Sequence, residues 1–116
     1  MKRAIFVSDK SFDNYDLLSR AAAVIIQDFK DSDTEIEFVS LGNEKLLSLL
    51  ISFADSTRPY LKQKGVRITT SIDRYPPWHP DPARHDAVAR LGTLKYYPYK
   101  LFVFQAKDAG IETVEY

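Results

Sequence analysis

The 116-residue sequence has no cysteine, only four glycines, and no apolar run near the length of a membrane span, which needs about 18 residues or more. Without cysteine there is no disulfide, no thiolate metal site and no thiol nucleophile. Small secreted domains usually depend on such cross-links, so a cytoplasmic protein is expected. The opening Lys2, Arg3, Ala4, Ile5, Phe6, Val7 is basic and then apolar, but Ser8, Asp9 and Lys10 end it well short of a signal-peptide core. An excess of charge is also missing: 16 Lys and Arg balance 16 Asp and Glu. That removes the basic footprint of a protein that grips a phosphate backbone, so neither nucleic acid nor a membrane is an expected partner. The shortage of glycine weighs against phosphate-cradling loops, which need close backbone approach to the anion.

The composition is 45% hydrophobic and 28% charged, ordinary for a globular chain. Residues 1–116 fit one domain large enough to bury a core without metal or disulfide support. Ala4–Val7 reads as a strand buried on both faces. Leu17, Leu18, Ala21, Ala22, Val24, Ile25 and Phe29 then recur at helical spacing behind a cap at Asp13 or Asn14. Ile36, Phe38 and Val39 form a second strand, and Leu46 to Ala54 opens a deeply buried second helix. Pro59 predicts a kink or restart near Thr57, with Gly65 closing that helix, and Val66, Ile68 and Thr70 make a third strand. Residues 74–82 carry four prolines and read as a long irregular loop. Asp81 and Pro82 look like the start of a helix running Ala83–Leu91 to Gly92, and Leu101–Phe104 like a fourth strand. The short gap from there to Ile111–Val114 predicts a last strand that is antiparallel or at an edge. The expected fold is α/β: a Rossmann-like three-layer sandwich around a mostly parallel sheet of about five strands.

In such sheets ligands collect outside the carboxyl ends of the strands, here Ser8–Asp13, Ser40–Asn43 and Ser71–Arg84. Asp9, Asp13 and Glu44 oppose a phosphate there, and Gly42 is the one glycine of the second loop. His79 and His85 lie near Asp73, Asp81 and Asp86, but neither spacing is a metal-ligand motif, so no metal and no cofactor are assigned; His85 reads as a surface or capping residue. Serines at strand ends lack a Gly-x-Ser-x-Gly elbow, so no hydrolase triad is expected. Tyr75 and Trp78, with Tyr96, Tyr97 and Tyr99 further on, are the most unusual feature. Such rings favour interfaces and also stack on bases.

The stretch Ser8-Asp9-Lys10-Ser11-Phe12 ahead of a helix, Leu41-Gly42-Asn43-Glu44-Lys45-Leu46-Leu47, Pro82-Ala83-Arg84-His85 and the closing Ala109-Gly110-Ile111 follow one another in an order that resembles the SLOG superfamily of Rossmann-like domains, in particular its short YspA-type branch of bacteria and phages. The matching family motifs are Gly-x-Arg-Asp-Phe, Gly-Gly-x-x-Gly-x-Asp and Gly-Pro-x-Arg-Asn. Phe12, the basic Lys10, one glycine, the proline and the arginine are kept, whereas Leu47 replaces the aspartate. The resemblance implies a scaffold for nucleotides or nucleotide-derived signals, with phosphate contacts at Ser8, Lys10, Gly42, Asn43 and Arg84. Loss of the glycines and the aspartate points to a noncatalytic module, a small phage or mobile-element protein that engages a protein partner or itself through Tyr75, Trp78, Tyr96 and Tyr97. The alternatives are a nucleotide-derivative binder and, less favoured, a nucleotide glycosidase using Asp9 or Asp86.

Overall fold

A computed structural model describes residues 1–31, 34–74 and 85–116. Strands β1 (Lys2–Val7), β2 (Glu35–Leu41), β3 (Arg67–Asp73), β4 (Ala87–Arg90) and β5 (Glu112–Glu115) form one sheet in the order β3-β2-β1-β4-β5. All four neighbouring pairs are parallel. Helices α1 (Tyr15–Phe29), α2 (Glu44–Gln63) and α3 (Tyr97–Asp108) connect them. The Rossmann-like α/β architecture follows from how each strand splits its side chains. Ala4 and Phe6 of β1, with Ile36 and Phe38 of β2, join Leu18, Ala21, Ile25, Leu46, Leu50 and Phe53 of α1 and α2 in one apolar cluster. Ile5, Val7, Val39, Leu41 and Val88 point the other way, into a second cluster with Tyr99, Phe102, Val103 and Ala106 of α3. Burial on both faces is why β1 reads as an unbroken apolar run over Ala4–Val7. None of the described helices is long and apolar enough to cross a membrane.

Asn14 caps α1 by accepting from the Leu17 amide at 3.1 Å, the expected role of its short carboxamide. At the far end of α2, Gly65 takes φ of 75°, a conformation that side chains with a Cβ rarely adopt. Pro59 lies inside α2, which runs on to Gln63 with no restart at Thr57. The Thr57 and Ser56 hydroxyls donate to carbonyls one turn back, at 2.9 Å each, so side-chain donors accompany the turn where proline supplies no amide.

Four further expectations are corrected. Residues 87–90, expected in a helix, are β4, buried between β1 and β5; the Asp-Pro pair that suggested a helix start lies outside the described residues. Leu101–Phe104, expected as a strand, belongs to α3. Its buried residues Tyr99, Phe102, Val103 and Ala106 follow helical spacing, and Phe104 is 65% exposed; four consecutive apolar residues fit either period. The chain between β4 and β5 is therefore residues 91–111, long enough for a parallel crossover, and β5 is parallel, at the edge. His85 is also buried rather than on the surface, its ring edge-on to Phe102 at 6.3 Å.

At β5, burial and the neighbouring Asp28 carboxylate push the Glu112 carboxyl up from its ordinary value. A carboxyl raised in the folded state destabilises the fold once it ionises, and the penalty disappears when both states are protonated. Glu112→Gln should therefore melt higher than the parent at pH 8, with the gain gone by about pH 4, measured by thermal denaturation across that range. A gain that persists at the acid end would contradict the assignment.

Candidate functional site at the carboxyl edge of the sheet

The strand order reverses direction at β1: the first two crossovers lead outward through β2 to β3, and β4 and β5 lie on its other side. In open parallel sheets the crevice at such a switch is where ligands sit. Here it is bounded by the segments after β1 and β4.

Asn43 fastens the two neighbouring loops together. Its carboxamide nitrogen donates to the Ser8 carbonyl (3.4 Å), the Ser8 hydroxyl (3.2 Å) and the Asp9 carbonyl (3.2 Å). Its carboxamide oxygen accepts from the Leu46 amide at 3.1 Å and so caps α2. Ser40 donates its hydroxyl to the Asn43 carbonyl at 2.7 Å. Asn43 is 2% exposed, and Ser8 and Ser40 are fully buried, a degree of burial that polar groups sustain when hydrogen-bonded. Gly42 takes φ of 60°, and its amide donates to the carbonyls of Asp73 (2.8 Å) and Ser40 (3.1 Å). The amide that would meet a phosphate is thus spent within the fold.

Asp9 does the same for the segment entering α3. Its carboxylate accepts from the Lys95 amide at 2.8 Å and from the Tyr96 amide at 3.4 Å. Pro98, in the first turn, has no amide hydrogen, and the amides of Tyr99 and Lys100 both donate to the Tyr96 carbonyl. Asp16 and Glu44 add negative charge to the first turns of α1 and α2. The positive ends of helix dipoles ordinarily attract anions; here side chains of the protein already meet that demand.

Among the described residues a groove of about 410 Å³ is open here, lined by Asp9, Lys10, Ser11, Lys95, Tyr96 and Tyr99. Tyr96 stands edge-on to Tyr99, with ring centroids 4.8 Å apart. Tyr99 is 2% exposed; burial, then Tyr96 and Asp9, raise its hydroxyl above the ordinary value, so it keeps its proton and is a poor base. Tyr97, next along, is 69% exposed.

The structure thus brings Ser8, Gly42 and Asn43 together as an internal clasp and leaves Lys10 exposed on the groove. Tyr96 and Tyr97 are both exposed at the start of α3. Arg84, Tyr75 and Trp78 lie outside the described residues. Asp86, weighed above as an acid or base alongside Asp9, lies at the opposite, amino end of the sheet, where its carboxylate accepts from the Arg3 amide at 2.8 Å. Among the described residues no group of three or more acidic or histidine side chains is arranged to hold a metal ion. Two contributors have no local signature: Lys95, 86 positions from Asp9, and Tyr99, whose burial follows only once its segment is read as a helix. No family model, curated protein or solved structure matches this chain.

Proposed function

We propose that this chain is a noncatalytic Rossmann-like binding module that engages a protein partner, or a second copy of itself, with its carboxyl edge around Tyr96 and Tyr97. The observation that carries the reading is the Asp9 carboxylate on the Lys95 and Tyr96 amides. A fold of this kind usually turns main-chain donors at that crevice toward a ligand phosphate. Here they hold a side chain of the protein, and the exposed material beside them is aromatic. Exposed tyrosines offer large contact area at small entropic cost and are enriched at binding hot spots. The absence of catalysis is supported by the same groups: Asp9 is engaged by two amides, the Ser8 hydroxyl is buried and donates to the Asp9 carbonyl at 3.2 Å, and Tyr99 holds its proton. The SLOG-type scaffold and a small cytoplasmic phage or mobile-element protein are also part of the proposal, and rest on the sequence motifs around Lys10, Phe12 and Gly42 alone.

A second reading, a nucleotide-derived ligand in the same groove, is favoured by one observation: Lys10, Lys95 and Tyr96 all line it, a combination that suits a ring bearing an anionic group. Tyr97→Ala separates the two, since Tyr97 is not part of the groove lining. Sedimentation velocity of the pure protein, and capture from the source cell quantified against the variant, should show association weakened by about 30-fold or more if Tyr97 is a hot spot, with an unchanged melting temperature. Equal self-association and equal capture of every partner by the variant would defeat the reading.

A further inference from the structure

We propose that the free edge of β3 is a docking strand for an extended acidic segment of a partner protein, separate from the carboxyl-edge site. Among the described residues β3 pairs with β2 alone. The direction of its main-chain groups follows from two hydrogen bonds: the Arg67 amide donates to the Thr34 carbonyl, and the Asp73 carbonyl accepts from the Gly42 amide, 2.8 Å each. Both bonds point toward β2, and main-chain groups alternate sides along a strand. Arg67, Thr69, Ser71 and Asp73 therefore face β2, and the amides and carbonyls of Ile68, Thr70 and Ile72 project from the edge. That is the array to which an added strand binds.

Beside it runs a groove of about 580 Å³ lined by Arg58 and Lys62 of α2 together with Val66 and Ile68, the last two buried. The charge around it selects the occupant. Its charged lining residues are Arg58, Lys62 and Arg67, against Asp55, which pairs with Arg58 at 2.5 Å, and Glu35, which lies 3.7 Å from Arg67. Three cations against two carboxylates leave an excess of one positive charge, on a chain whose total is zero. Lys62 has no carboxylate within ion-pair distance among the described residues. Basic residues on an edge strand also deter pairing between identical copies, so the charge that blocks self-addition admits a strand of opposite sign.

The test uses a capped peptide of alternating Glu and Val, its Lys and Val counterpart, and nuclear magnetic resonance of the full chain. Saturable binding of the acidic peptide alone, with slowed hydrogen exchange at the amides of Ile68, Thr70 and Ile72, is the expected result. Thr70→Pro removes one outward amide at an edge position that tolerates proline and should abolish binding. Lys62→Glu, an exposed change on α2, should weaken it at least tenfold if the proline variant is poorly folded. Equal binding of both peptides, binding without protection of those three amides, or no binding at all would overturn the proposal. Tyr97→Ala should leave this binding unchanged, so failure here and failure at the carboxyl edge are distinguishable.

Discussion

Asn43→Ala should lower the unfolding free energy by about 3 kcal/mol, through loss of a helix cap (about 1) and of donors to buried acceptors (about 1–3). The substitution deletes the acceptor of the Leu46 amide and the donor shared by Ser8 and Asp9 in one step. With domains of this class stable by roughly 5–15 kcal/mol, the loss is a large share of the total and should appear as a lower midpoint in urea. Asn43→Asp isolates the donor, because it keeps an acceptor for Leu46 and faces the Ser8 and Asp9 carbonyls with negative charge. It should be no more stable than the alanine variant. A loss below about 1 kcal/mol for Asn43→Ala, within the range of a cap alone, would mean that the clasp between the two loops contributes little.

The largest effect is expected at Phe38, where truncation to alanine should cost about 3–5 kcal/mol. Phe38 has no exposed surface and sits in β2 beneath α2. Its ring lies 5.1 Å from that of Phe6 in an edge-on arrangement and 6.1 Å from that of Phe53, so alanine removes the middle of a three-ring stack and leaves a cavity that fixed strands on either side are poorly able to close. Phe104→Ala is the matched control: that side chain is 65% exposed, and surface substitutions usually stay within about 0.5 kcal/mol. Equal losses at the two positions, measured by denaturant unfolding, would place Phe38 outside the core described here.

The first half of the fold is legible in the sequence because each element there carries a signal of its own. Ala4–Val7 is apolar on both faces, Ile36, Phe38 and Val39 mark the second strand, the α1 stripe is regular, and Asn14 sits where a helix cap belongs. The second half misleads for a physical reason: its apolar runs are too short to fix a period. Ala87-Val88-Ala89 has the composition of a helix and becomes a strand because both of its neighbours in the sheet are strands. Leu101–Phe104 has the composition of a strand and becomes helical because Tyr99, Phe102, Val103 and Ala106 share one face. The site was half legible. The sparse glycines and the acidic first loop give the expectation of a crevice that disfavours phosphate, but the contact of Asp9 with the Lys95 amide spans 86 positions, a distance no local pattern spans.

Thermal melting with adenosine monophosphate, ADP-ribose and inorganic phosphate, run in parallel on the parent and on Asp9→Ala, tests the central claim most directly. If the Asp9 carboxylate occupies the donors that a ligand phosphate would need, the parent melts at one temperature across the panel. Asp9→Ala, with the Lys95 and Tyr96 amides released, should then gain stability with phosphate. A parent protein stabilised by about 2.7 kcal/mol, the value for a ligand at a hundred times its dissociation constant, would show that the crevice still receives nucleotides.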